Sequence, residues 1–353
     1  MTRYAFFTHV LFALGLFMLA RLGCWLMIRW GRIIDVPNER SSHEVPTPKS
    51  GGIVIVLTFF IGVIAIYTFG NATLIKRNYF GGFVFAALFI AGVSLYDDLR
   101  YKSFAFKLIC QIIAVSIVMA FGLVIHQISW PGRGKINLGI MGYIITFLWI
   151  IGLTNAYNFM DGINGLAAGM AVIVSLFFGI LCFLQGSLFV YIICYTLIAG
   201  SSGFLVFNFP KPRLFMGDVG SAFLGFVFAT LGIIAALYDH SHTSLFVMPL
   251  LLFNFIYDTF FTFIRRLIAR ENVFSAHRQH LYQLFNQLGY SHASVSLFHF
   301  AVCFAQGIGA WVMLTIEIKK GVPRYIPVYI PFFLFQIIYS IIIIKKSKKA
   351  RLI

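Results

Sequence analysis

Eleven Asp and Glu residues serve a chain of 353, few enough for each to be followed. Three groups stand where apolar stretches end. Asp97 and Asp98 are adjacent in Ser94-Leu95-Tyr96-Asp97-Asp98-Leu99-Arg100. Neighbouring carboxylates repel, and one pKa rises unless a cation lies beside them. The pair reads either as a metal- or proton-handling site or as two solvated acids at a helix end. In the segment from Asn155 to Gly165, the side chains Asn155, Asn158 and Asp161 recur every three residues. On a helix this keeps them within about a third of the circumference, and Gly162 and Gly165 would let backbone approach a ligand. An interhelical hydrogen-bond cluster is the other reading. The third group runs from Phe207 to Ser221, where Pro210, Pro212 and Gly217 place a turn ahead of a new helix. Asp218 then lies at a helix amino terminus, where unpaired N–H groups suit an anion and a carboxylate suits a hard cation. A plain N-cap is the alternative.

These groups must be positioned by a membrane bundle. Sixty per cent of residues are hydrophobic and 11% charged, against roughly 25% charged in a soluble domain. Apolar stretches long enough to cross ~30 Å of hydrocarbon are expected at 4–28, 50–69, 79–95, 104–125, 138–155, 162–183, 188–207, 218–237, 245–267, 295–316 and 325–344. The expected fold is all-α, a polytopic helical bundle of about 11 transmembrane helices forming one domain over 1–353. Only 268–294 leaves room for a small substructure outside the membrane. The first span follows Arg3 and lacks a small-residue cleavage site, so it reads as an uncleaved anchor. The five cysteines fall within apolar spans without a Cys-x-x-Cys pair and read as packing residues.

An extracellular amino terminus and a cytoplasmic carboxy terminus put eighteen Lys and Arg inside and eight outside, with Arg21 inside a span. The positive-inside rule favours that orientation. Nine of the eleven acids, all but Asp239 and Glu317, then fall on or near the inner side. The net charge of +16 is spread over juxtamembrane loops, which fits topology and anionic membrane lipids rather than nucleic acid. A secondary transporter would set its ionisable groups near the bilayer midplane, whereas these gather at one face. Oxygen-rich side chains without a Cys or His set suit Mg²⁺, with Mn²⁺ also admissible, and Mg²⁺ with nearby cations is the equipment of phosphoryl transfer.

Four ordered motifs carry a resemblance: Asp35 to His43 followed by Pro46 to Gly52, the Asp97-Asp98 pair, Asn155 to Gly165, and Phe215-Met216-Gly217-Asp218-Val219-Gly220-Ser221. In this order, over residues 35 to about 290, the chain resembles the polyprenyl-phosphate N-acetylhexosamine-1-phosphate transferases. The resemblance implies transfer of a sugar 1-phosphate from a UDP-amino-sugar donor to an undecaprenyl phosphate acceptor, with release of UMP, at the cytoplasmic face of a bacterial inner membrane. It implies Asp218 and Asn158 as metal ligands, Asp97, Asp98 and Asp161 as catalytic, and Lys107, nine positions after the Asp pair, as a diphosphate contact. Lys49, Asn155, His277, Arg278 and His280 complete the expected substrate-binding set, and a homodimer is the candidate assembly. Direct attack by the lipid phosphate is favoured over a covalent aspartyl intermediate, because a phosphate monoester is already ionised. Two departures matter. Asn164 stands where many bacterial relatives carry Asp, and the loop Ala276-His277-Arg278-Gln279-His280-Leu281-Tyr282-Gln283 lacks a histidine run. The chain therefore resembles the branch that initiates O-antigen and similar surface glycans, with the muramoyl-pentapeptide transferases as the alternative. Asp258, seven residues before Arg265, belongs either to the site or to an interhelical network.

Overall fold

A computed structural model describes residues 3–31, 33–37, 45–69, 75–100, 102–130, 134–273, 275, 277–320 and 325–353, with backbone alone for 3–6, 69 and 317–320. Residues 38–44 of the first motif, including Glu39 and Glu44, and the loop residues Arg133, Ala276 and Arg324 lie outside the described residues. The first part of the chain runs α1 (Arg3–Trp30), β1 (Ile34–Asp35), β2 (Thr47–Pro48), α2 (Gly51–Phe69), α3 (Arg77–Arg100), α4 (Phe104–Ala120), β3 (Gln127–Trp130), β4 (Gly134–Asn137) and α5 (Met141–Phe159). It continues through α6 (Leu166–Leu184), α7 (Phe189–Asn208), α8 (Asp218–Leu237), α9 (Val247–Leu251), α10 (Phe253–Ile268), α11 (Leu281–Gln287), α12 (His292–Lys320) and α13 (Tyr325–Lys349).

A helix stands at every expected span. Eight, namely α1, α2, α3, α6, α7, α8, α12 and α13, are long and apolar enough to cross a membrane by length and composition. The expected eleven also counted α4 and α10, which are shorter, and α5, whose Asn155 and Asn158 make it more polar. The span expected at 245–267 is not continuous. It breaks at Leu252 between α9 and α10, where the Leu252 carbonyl accepts from both the Phe255 and Ile256 N–H groups at 3.0 Å. The sequence carries a mark of it: Pro249 stands three residues before the break, and the wholly apolar α9 gives way to an α10 bearing Asn254, Asp258, Thr262, Arg265 and Arg266. The antiparallel hairpin β3–β4, with Gln127 opposite Asn137, is likewise an addition to the expected all-α bundle.

Helix α8 is the axis. Nearly all of its side chains are buried, as expected of a helix apolar on every face. Neighbours approach it through small residues: a Cβ on Gly225 would meet Tyr157 and the Thr154 backbone of α5, and one on Gly52 of α2 would run into the Gly220 backbone. Such contacts let helices pack where lipid supplies no hydrophobic drive between them. Because α8 starts at Asp218, this packing brings one end of α2, α3 and α5 around that residue.

Candidate active site

The chain around Asp218 is fixed by backbone pairing. The Phe215 N–H donates to the Pro48 carbonyl at 2.8 Å, and the Gly51 and Gly52 N–H groups donate to the carbonyls of Phe215 and Met216 at 2.9 and 2.8 Å. This clamps the segment before α2 to the loop before α8 and delivers Lys49 to the site. Gly217 precedes α8 with φ +75°, a conformation that side-chain-bearing residues rarely adopt.

The carboxylates then divide into two kinds. Asp98 is buried, with Oδ1 accepting from the Asp218 N–H at 3.2 Å and Oδ2 from the Val219 N–H at 3.0 Å. Its Oδ1 also pairs with Lys49 Nζ at 2.8 Å. Asp98 therefore caps α8 from another helix, and the capping role held open for Asp218 falls to it instead. Asp97 is also buried, accepts from the Lys102 N–H at 2.7 Å and pairs with Lys107 Nζ at 2.6 Å. The same Lys107 Nζ lies 2.6 Å from Asp218 Oδ2, so one ammonium bridges two carboxylates. For Lys49, burial lowers the pKa, but the charges of Asp218 and Asp98 outweigh it and raise it above its ordinary value. The ammonium stays charged at every working pH.

Asp218 and Asp161 are the second kind. Both line a cleft of about 330 Å³ shared with Asp35, Lys49, Asn158, Asn164, Asn208, Ser221, Arg278, Gln283 and Asn286, among others. Asp161 lies in the loop after α5, and among the described residues its carboxylate has neither a hydrogen-bond nor an ion-pair partner. Burial, and then the charge of Asp218, raises its pKa well above the ordinary carboxylate value. Asn158 Nδ2 donates to Ser221 Oγ at 2.8 Å, which leaves Oδ1 as an acceptor-only atom at the cleft. When ionised, Asp97, Asp98, Asp161 and Asp218 carry four negative charges against two from Lys49 and Lys107. No ready-made cluster of three or more His, Cys, Asp or Glu ligands exists among the described residues. Even so, the oxygens of Asp161, Asp218 and Asn158, with excess negative charge around them, suit a hard divalent cation.

Four of the expected substrate-binding residues sit elsewhere than the cleft lining: Lys107 stands beside it, paired with Asp218, and Asn155, His277 and His280 lie further into the fold. Asn155 forms a reciprocal amide pair with Gln111 of α4, at 2.7 and 3.2 Å, and also donates to the Ile151 carbonyl at 2.8 Å. It belongs to the α4–α5 interface, because a helix period places a residue on a face without naming what the face meets. His280 is buried with Nδ1 3.1 Å from Asp258 Oδ1. His277 stacks on the His280 ring at 5.0 Å, and burial together with His280 and Arg266 pushes its pKa down to about 4. A neutral imidazole there is no counter-charge for a diphosphate. Arg278 does reach the cleft.

Asn208 was not singled out by type and spacing, yet it joins two loops of the site. Its Oδ1 accepts from the Gly165 N–H at 2.7 Å, and its Nδ2 donates to the Leu214 carbonyl at 2.8 Å. The available signal was an amide closing an apolar helix just before Pro210. Gln283 and Asn286, three residues apart on α11, are further cleft residues to which type and spacing gave no role.

Residues 80–236 match the family model described as glycosyl transferase family 4. The chain is 31% identical to a probable undecaprenyl-phosphate N-acetylglucosaminyl 1-phosphate transferase of Bacillus subtilis, over 81% of this chain and 78% of the relative. It is 30% identical to an undecaprenyl-phosphate alpha-N-acetylglucosaminyl 1-phosphate transferase of Thermotoga maritima, over 72% and 73%. Similarity to a phospho-N-acetylmuramoyl-pentapeptide-transferase of Leuconostoc citreum, also at 30%, covers 54% of this chain and 62% of that one.

Proposed function

The chain belongs to glycosyl transferase family 4, and from that premise we propose that it moves N-acetylhexosamine 1-phosphate from a UDP-sugar to undecaprenyl phosphate. An oxygen of the lipid phosphate bonds to the sugar-bearing β-phosphorus, the bridging P–O bond to the α-phosphate breaks, and UMP leaves with that oxygen. The observation that carries this reading is the cleft itself. Asp161, Asp218 and the Asn158 Oδ1 face it, while Lys49, Lys107 and Arg278 stand within or beside it.

Both reactants are anions, so the site must offset their charge and align attacker with leaving group. Lys49 and Lys107 are already held by Asp98, Asp97 and Asp218, which keeps two ammonium groups oriented before either substrate arrives. Arg278 adds a planar donor to the cleft lining, suited to phosphate oxygens. Mg²⁺, or Mn²⁺ in its place, would be held by Asp218, Asp161 and Asn158 and would supply charge neutralisation at the diphosphate. A lipid phosphate at neutral pH needs little help from a base, which favours direct attack over an aspartyl intermediate.

The coverage of the two N-acetylglucosaminyl relatives, wider than that of the muramoyl-pentapeptide enzyme, supports an N-acetylhexosamine or its 6-deoxy form as the sugar. In this reading the lipid-linked sugar would initiate a surface glycan such as O-antigen. The charge asymmetry of the loops supports a cytoplasmic cleft in the bacterial inner membrane. Purified protein should release UMP only when UDP-N-acetylglucosamine, undecaprenyl phosphate and Mg²⁺ are all present. Release without the lipid phosphate, or efficient use of the muramoyl-pentapeptide donor, would refute the assignment.

A further inference from the structure

Asp258 lies on α10 and is buried, 1% exposed, yet it neither lines the cleft nor pairs with a Lys or Arg among the described residues. Its oxygens are committed to another element. Oδ1 accepts from the Leu281 N–H at 2.9 Å, from His280 Nδ1 at 3.1 Å and from Thr262 Oγ1 at 3.1 Å, and Oδ2 accepts from the Tyr282 N–H at 3.1 Å. Leu281 and Tyr282 open α11, a seven-residue helix too short to be stable without tertiary contacts. Beyond this cap, α11 reaches the cleft. Gln283 and Asn286 line it, as does Arg278 just before the helix, where the Arg278 carbonyl is held by Gln287 Nε2 at 2.7 Å. From the same turn the Tyr282 hydroxyl donates to the Phe159 carbonyl at 2.9 Å and lies where a Cβ on Gly162 would be. That contact bears on the loop carrying Asp161. One carboxylate thus ties the helix after the Leu252 break to the cleft wall that carries Arg278.

We propose that Asp258 is a positioning residue for the donor, setting UDP-sugar affinity by fixing α11 and, through it, Arg278, Gln283 and Asn286. This rests on the reading of the cleft as the donor site. A purely structural acid would lower the amount of folded protein and leave the kinetic constants of the folded fraction alone. A positioning acid changes the binding of one substrate.

Asp258→Asn replaces an acceptor oxygen by an NH₂ that cannot receive the α11 N–H groups. Full-length protein in lipid nanodiscs would be assayed with UDP-N-acetylglucosamine and undecaprenyl phosphate varied in turn. Expected is a rise of about tenfold in KM for the nucleotide sugar, with kcat and the KM for the lipid phosphate moving less than about threefold. An unchanged KM for the nucleotide sugar, or equal rises for both substrates, would overturn the proposal. Should Asp258→Asn fail to fold, Tyr282→Phe removes only the hydroxyl tie, and a rise of about threefold in the same KM is expected; no rise overturns it. If the unsubstituted protein turns over no UDP-sugar, the functional reading has failed on its own. Amide hydrogen exchange over 281–287 then decides the positioning claim: faster exchange in Asp258→Asn supports it and identical exchange refutes it.

Discussion

Asp98 and Asp258 solve the same problem at two places and differ in what balances their charge. Each is buried and caps a helix from a different element, Asp98 on α8 and Asp258 on α11. Asp98 is paired with the ammonium of Lys49, whereas Asp258 faces His280 and a threonine hydroxyl. The first carboxylate holds a cation as well as a helix. The second holds a helix that carries the binding groups. Neither lines the cleft, whereas Asp161 and Asp218 do, together with Asp35.

The largest expected effect comes from breaking the first cap. Asp98→Asn leaves the Lys49 ammonium without its partner and withdraws acceptors from the start of α8, at a cost of about 3–5 kcal/mol. Asp258→Asn strands no ammonium and should cost about 1–3 kcal/mol. Thermal unfolding in one detergent would rank them, and a smaller loss for Asp98→Asn would break the comparison.

Asp161→Asn should separate stability from activity. Its carboxyl is raised by burial and by Asp218, so above the ordinary carboxylate pKa its charge works against the fold. Removing that charge is expected to leave thermal stability equal or slightly higher while turnover falls about tenfold to a hundredfold. Lower stability with normal turnover would return Asp161 to a structural role.

The Gln111–Asn155 pair gives a smaller effect. Asn155→Leu alone strands a buried amide and should cost about 1–3 kcal/mol, while Gln111→Leu with Asn155→Leu should recover most of it. Substrate KM values are expected to stay put in the double variant. A large rise in either KM would put Asn155 back in the substrate site.

The smallest effect belongs to His277. Its pKa of about 4 lies below the ordinary 6.5, so between these values the unfolded chain binds the extra proton and stability falls as pH falls. His277→Gln should blunt that loss between pH 6.5 and 4 and change turnover at neutral pH less than about twofold. A slope of thermal midpoint against pH that is unaltered by the substitution would contradict the assignment.

Much of the architecture was legible because burial in lipid leaves a local mark: apolar runs of spanning length stand where helices stand, and the Met-Gly-Asp turn precedes α8 as its Pro and Gly residues indicate. What stayed hidden is carried by distant partners. The acceptors that cap α8 lie 120 and 121 residues from its first two N–H groups, and the tie from Tyr282 to Phe159 spans 123. Residue type identified Asp97, Asp98, Asp161 and Asp218 as a group of acids. Their division into capping and cleft-facing roles depended on which N–H groups and lysines each one meets, as it did for His280, a ring in a pocket of the fold rather than at the cleft.

The most direct test of that division is Asp218→Asn. Asp98 would still cap α8 and Lys107 would still pair with Asp97, so the variant should insert and melt like the unsubstituted protein. With UDP-N-acetylglucosamine, undecaprenyl phosphate and Mg²⁺ supplied, UMP release is expected to fall by about a hundredfold or more, with any remainder needing far more Mg²⁺. Near-normal UMP release at the same Mg²⁺ concentration would contradict the account.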